Sequence, residues 1–162
     1  MTTDRIEKKI LLHAPKKRVW QAISDSKEFG LWFGVKFDGP FVAGAPLHGV
    51  IVPTTASEEV AKKQKPHEGK PFDITVEQVE HERVFSFRWH PYAIDRNVDY
   101  SSEPTTLVAF TLEDVDGGVL VTVTESGFDG IPLERRAKAF LANEQGWALQ
   151  VKMIEAYLAN TP

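Results

Sequence analysis

The chain has 162 residues, no cysteine and a formal net charge of −4. The acidic balance argues against binding to nucleic acid or to an anionic membrane surface, because both need a basic face. The lack of cysteine excludes disulfides, thiolate nucleophiles and cysteine-ligated metal clusters. We expect a single globular domain over residues 1–162, which is long enough to bury a core without staples.

The first ten residues are charged and alternate in polarity, so they do not match a signal peptide. No apolar run approaches the roughly 20 residues that a membrane-spanning helix needs. We therefore expect a cytoplasmic protein that does not contact membranes.

The first third of the chain predicts a strand followed by two short helices. Residues 5–13 alternate in polarity as a strand does. Pro15 suits the first turn of a helix, and Ser24-Asp25-Ser26 can end that helix and cap a second one that runs through Trp32. Residues 41–53 then predict a turn followed by a strand.

Four further segments predict strands of one antiparallel sheet. Residues 72–79 and 84–90 alternate in polarity. Residues 105–113 and 119–126 do so as well, and they flank Asp116-Gly117-Gly118, which supplies the positive φ of a tight hairpin turn.

Two segments between these elements predict surface loops. Residues 54–71 are polar, highly charged and contain two prolines, so we interpret them as an exposed, mobile loop. Residues 91–104 form a second long loop. Ile94 and Val98 in this loop would either contact a second copy in a homodimer or fold over the protein's own pocket, and both alternatives stay open.

The last element is a long amphipathic helix. Pro132 and Glu134 mark its start. An apolar stripe at helical spacing follows and contains Leu133, Ala137, Phe140, Leu141, Trp147, Ala148, Val151, Ile154 and Leu158. Such a helix must cover a broad apolar surface, which the strands provide. The order of elements indicates an α+β fold and not a parallel α/β sheet.

Several of these stretches resemble a known family. VWQAISDSKEFGLWF resembles the helix pair of the START/Bet v 1-like (SRPBCC) helix-grip superfamily. TLVAFTLEDVDGGVLVTVTESGF and NEQGWALQVKMIEAYL are similar to the activator of Hsp90 ATPase homologue family in its bacterial single-domain form. Asn143, Gly146 and Trp147 match that family's Asn-x-x-Gly-Trp. Val119, where threonine is usual, and the charged insertion at 54–71 depart from it.

The resemblance implies a curved antiparallel sheet of six or seven strands around the C-terminal helix, with a cavity between them. It does not imply one function, because fold alone does not determine activity. Binding of a small hydrophobic or amphipathic molecule is the leading hypothesis. Contact with a chaperone and a cyclase- or hydrolase-type activity are the alternatives.

The candidate ligand-binding residues are those expected to face that cavity. They are Trp32, Phe72, Ile74, Phe87, Trp89, Phe110, Glu125, Phe140, Glu144, Trp147 and Val151. The alternative for each aromatic residue is ordinary core packing.

The two candidate carboxylates, Glu125 and Glu144, lie on apolar faces of a strand and of the long helix. Each is either paired at an edge or a polar anchor in the cavity, and the two would serve as general acid and base only if they meet. No catalytic sequence pattern is present, and the five histidines lack the spacing of a zinc site, so we expect no metal and no cofactor. His90, at a strand end, could reach the mouth of the cavity.

Gly146 interrupts the long helix, where glycine costs about 1 kcal/mol relative to alanine. Either the helix backbone approaches the sheet closely or kinks there, or the glycine leaves room beside Trp147 for a ligand.

Overall fold

The computed structural model describes residues 4–93, 95 and 97–162, and in these residues it shows one open antiparallel sheet packed against a long helix. The strand order is β1-β7-β6-β5-β4-β3-β2. The strands are β1 (Arg5–Leu12), β2 (Val35–Phe37), β3 (Pro46–Ile51), β4 (Pro71–Glu80), β5 (Val84–Trp89), β6 (Thr106–Val115) and β7 (Gly118–Ser126). The helices are α1 (Lys16–Ser24), α2 (Ser26–Phe33), α3 (Glu58–Gln64) and α4 (Leu133–Asn160). None of the helices in the described residues has the length and apolarity to cross a membrane.

Local sequence explains the helix pair near the N-terminus. The Asp25 carboxylate accepts hydrogen bonds from the backbone N–H groups of Lys27 and Glu28, at 2.9 and 3.0 Å, and so caps α2. Gly34 ends α2 in the left-handed conformation that glycine adopts without strain. The two predicted helices are therefore confirmed.

The β6–β7 hairpin forms as predicted, and Gly117 and Gly118 in its turn have φ angles of 89° and 157°. Along β7 the buried side chains alternate with partly exposed ones and end at Glu125. Inward-facing residues of β6 and β5 continue this surface, and they include Thr106, Phe110 and Phe87. The interior of the sheet is thus apolar except near the Thr106 and Glu125 end.

The prediction that residues 54–71 form an exposed, mobile loop is wrong. The segment contains α3, which Ser57 caps by accepting a hydrogen bond from the Val60 N–H, and Val60 is buried. The Gln64 side chain accepts from the Thr54 N–H at 2.7 Å and donates to the Phe33 carbonyl at 3.1 Å. The segment's polar composition hides a buried valine and two side-chain hydrogen bonds to α2, from Gln64 to the Phe33 carbonyl and from Thr54 to the Trp32 carbonyl, which dock it there.

The apolar stripe predicted on α4 is correct only in its C-terminal half. Leu133 and Leu141 are 75% and 56% exposed. Ala139, which was not part of the predicted stripe, is buried. Each step of four residues rotates the side chain by about 40° around the helix axis. The series Leu133, Ala137 and Leu141 therefore turns progressively away from the sheet. Trp147, Ile154 and Leu158 are buried as predicted.

Candidate ligand-binding cleft

An open cleft of about 820 Å³ lies where the start of β4, the end of β5, the 91–104 segment and the middle of α4 meet. Its walls combine aromatic and apolar side chains with polar ones, which include three aspartates and Asn143 of α4. The lining includes Ile51, Lys70, Phe72, Trp89, His90, Tyr92, Val98, Tyr100 and Asn143. Ile94, which we predicted to cover the pocket or to contact a second copy, lies outside the described residues.

The Glu125 carboxylate lies beneath this cleft and is completely buried. Its Oε1 accepts hydrogen bonds from Trp147 Nε1 at 2.8 Å and Asn143 Nδ2 at 3.0 Å. Its Oε2 accepts from Trp89 Nε1 at 2.8 Å, Thr106 Oγ1 at 2.6 Å and Asn143 Nδ2 at 3.1 Å. β5, β6, β7 and α4 therefore converge on a single side chain.

Hydrogen-bond donors, and not a cation, balance this buried carboxylate. Among the described residues no basic side chain forms an ion pair with Glu125. An indole N–H can only donate, and one indole donates to each carboxylate oxygen. A buried carboxylate must be hydrogen-bonded to be tolerated. Glu125 thereby fixes the orientations of Trp89 and Asn143, and both of these residues also line the cleft.

The space directly between the sheet and α4 is filled. Beside Trp32, Phe110, Trp147 and Val151 the packing leaves no room for a water molecule. The ring centroid of Phe110 lies 5.8 Å from that of Trp147 and 6.2 Å from that of Trp32. Large aromatic side chains therefore occupy the region where we expected a cavity. The accessible volume lies instead at one end of this core, next to Trp89 and Phe72.

The remaining candidate residues lie outside the cleft. Phe87 is buried against Phe85 and Trp89, and Phe140 packs on Phe128 with ring centroids 5.1 Å apart. Ile74 is buried and borders a shallower groove of about 500 Å³ together with Trp89 and His90. These placements match ordinary core packing for Phe87 and Phe140.

Of the two alternatives for Glu144, the structure shows the paired position at an edge, and Glu144 does not line the cleft. Its side chain is 45% exposed, and its Oε1 lies 3.8 Å from Lys8 Nζ, so it forms an ion pair at the edge of the sheet. No hydrogen bond joins it to Glu125. The two carboxylates are thus not arranged as the general acid–base pair that an enzyme would need.

Arg135 of α4 ties the 91–104 segment to the helix. Its guanidinium donates to Glu103 Oε1 at 2.6 Å and to the Pro91 carbonyl at 2.8 Å, and it lies 4.9 Å from the centroid of the Tyr100 ring. Sequence reasoning missed this residue. A cation in the first turn of a helix opposes the helix dipole, and that unfavourable placement is the signal that could have identified it.

Two further titratable groups lie at the rims. His48 contacts Asp73 across β3 and β4, and this hydrogen bond raises the pKa of His48. Ser101 donates hydrogen bonds to Asp99 beside the cleft, which lowers the pKa of the Asp99 carboxyl. His90 forms a hydrogen bond with the Glu103 carbonyl at 3.1 Å, so it helps to hold the 91–104 segment.

Gly146 does not mark a close approach of backbones. A Cβ atom placed on it would meet nothing within 4 Å outside its own turn of helix. Gly146 follows Asn143 by three residues, so the two share one flank of α4. The space at Gly146 is open, but Gly146 is not among the residues that line the cleft.

Comparisons with solved structures place the fold among bacterial proteins. A Mesorhizobium loti protein, MLL2253, is 20% identical, with 98% of each chain covered and a TM-score of 0.70. An Arthrobacter aurescens protein is 14% identical, with 98% of this chain and 87% of that chain covered and a TM-score of 0.71. DynU16, from the dynemicin biosynthetic locus, is 24% identical with a TM-score of 0.67 over 96% of this chain. The chain spans about half the length of DynU16, 47% of which is covered.

These likenesses show the fold alone, and they confirm the α+β helix-grip architecture. A comparison with curated proteins gives no significant match. The model of the activator of Hsp90 ATPase homolog 1-like family matches residues 13–159, which is most of the chain. The expectation drawn from the sequence resemblance is confirmed, and this chain belongs to the activator of Hsp90 ATPase homolog 1-like family.

Proposed function

We propose that the protein binds a small amphipathic molecule with an aromatic or hydrophobic body in the cleft above Glu125. The observation that carries this proposal is the aromatic lining, in which Phe72 and Trp89 remain partly exposed although their ring centroids lie only 5.4 Å apart. Partly exposed aromatic faces around an open volume are typical of small-molecule sites, which usually measure about 300–1,000 Å³. The volume of about 820 Å³ falls within that range.

The described residues of the 91–104 segment form one wall of this site. Arg135 holds it through Glu103, Pro91 and Tyr100, so the wall is fixed by side-chain contacts and not by sheet pairing. The Arg135–Glu103 ion pair is mostly buried, so it holds this wall firmly against α4.

A titration with the fluorescent probe N-phenyl-1-naphthylamine tests the proposal. We expect saturable binding and a rise in Tm that grows with probe concentration, because a ligand of the native state must stabilise it. Ala93→Trp places a large ring on the lining of the cleft and should abolish both effects. Ala43→Trp is the matched control, since Ala43 is also exposed but does not line the cleft. The proposal fails if the probe does not saturate, or if the two variants bind it equally.

A second candidate function is contact with a chaperone, which the family description raises. The observation that favours it is the exposure of Leu133, Leu141 and Leu149 on α4, none of which lines the cleft. Stimulation of the ATPase of a purified bacterial Hsp90, and its loss in Leu141→Lys, would support this function. No stimulation by the wild-type protein would contradict it.

A further inference from the structure

We infer that the cleft selects ligands that offer a hydrogen-bond donor, a hydroxyl or an amine, to Asn143 Oδ1. This inference rests on the proposed function and specifies the chemistry of its ligand. Carbonyl, ether and carboxylate groups at the same place on the ligand would bind more weakly.

The orientation of the Asn143 amide is the first step of the argument. Asn143 Nδ2 lies 3.0 and 3.1 Å from the two oxygens of Glu125. If the amide were turned over, its Oδ1 would face two oxygens that already accept indole N–H groups, and acceptor would oppose acceptor. Glu125 therefore fixes the amide with its nitrogen inward and its oxygen outward.

The accessibility of Asn143 Oδ1 is the second step. Within the described residues this oxygen has no hydrogen-bond partner. It is also not fully buried. Asn143 lines the cleft. An acceptor that faces solvent through an aromatic cleft is available to a ligand.

The charges around the cleft favour the same ligand chemistry. Asp73, Asp95 and Asp99 line it with Lys70 as the single lysine or arginine among its described lining residues. The three carboxylates outnumber Lys70, so this rim has more negative than positive charge, and the buried Glu125 adds to the negative potential. The aspartates of the rim would repel a ligand carboxylate. An ionised carboxylate also has no hydrogen to donate to Asn143 Oδ1.

Three naphthalene probes of nearly equal apolar surface test the inference, with affinities measured by calorimetry at pH 7. We expect 2-naphthol to bind about threefold to tenfold more tightly than 2-methoxynaphthalene, which is the effect of one net hydrogen bond. 2-Naphthoate should bind more weakly than 2-naphthol. In Asn143→Ala the ratio of the first two affinities should fall to about one. Asn160→Ala, an exposed asparagine on the same helix, should keep the wild-type ratio.

A measurement on the wild-type protein guards against a variant that fails to fold. The Asn143 side-chain NH₂ signals in ¹⁵N-labelled protein should shift with 2-naphthol and remain nearly unchanged with 2-methoxynaphthalene. Equal affinities for these two probes, or tightest binding of 2-naphthoate, would overturn the inference and leave the proposed function standing. Binding of none of the three would overturn both.

Discussion

The Glu125 cluster makes a quantitative prediction about two buried tryptophans. Trp147 Nε1 donates to the Glu125 carboxylate at 2.8 Å, whereas Trp32 Nε1 donates to the neutral Ala22 carbonyl at 2.9 Å. The two side chains are 2% and 0% exposed, so replacing either indole by a phenyl ring removes a similar apolar surface. The comparison of Trp147→Phe with Trp32→Phe therefore isolates the nature of the acceptor.

The expected magnitude follows from the charge of the acceptor. A hydrogen bond to a charged group contributes about 1.5–3 kcal/mol to the free energy of unfolding, and one between neutral groups about 0.5–1.5 kcal/mol. Trp147→Phe should thus lower this free energy by about 1 kcal/mol more than Trp32→Phe does. In a chain of this size, the extra loss corresponds to a further decrease in Tm of about 2–4 °C.

Urea unfolding with linear extrapolation provides the measurement, provided that the slope m is the same in both variants. Each variant is compared with the wild-type protein by tryptophan fluorescence and by circular dichroism, and the two transitions should coincide. An equal loss in the two variants, or a greater loss in Trp32→Phe, would refute the conclusion that Glu125 is a carboxylate held by indole donors.

Three other changes have defined outcomes. Gly146→Ala should raise the unfolding free energy in urea by up to about 1 kcal/mol, because the site is helical and a methyl group meets nothing. Arg135→Ala should speed amide hydrogen exchange in the 91–104 segment while strand amides keep their protection. Asp73→Asn should lower the raised pKa of His48 in an NMR titration. Because that pKa is raised in the folded state, the stabilisation by the pair is complete below the ordinary histidine pKa and disappears as the pH rises through the folded-state value.

Much of the fold could be predicted because its elements carry local signals. Alternation placed Glu125 on the inner face of its strand, and the glycine pair at 117–118 predicted the hairpin. The short strand β2 carries no such signal, since three residues are too few to show a period. α3 was missed because it buries a single valine, and the polar composition of the segment outweighed the Ser57 cap.

The candidate site was harder to predict because its polar contacts link residues far apart in sequence. The alternation pattern predicted that the Glu125 side chain points inward. It could not show which side chains donate to that carboxylate, namely Trp89, Thr106, Asn143 and Trp147. The position of the cleft depends on how completely the aromatic side chains fill the core, and side-chain periodicity carries no information about volume.

The central claim, that the cleft beside Trp89 binds small molecules, is tested most directly by the indole N–H resonances of ¹⁵N-labelled protein during a titration with 2-naphthol. Trp89 ends β5 and lines the cleft, whereas Trp20 packs near His81, which precedes the other end of that strand. The Trp89 resonance should move progressively and saturate while the Trp20 resonance stays in place. An unmoved Trp89 resonance at saturating 2-naphthol, or equal shifts of the two resonances, would contradict the claim.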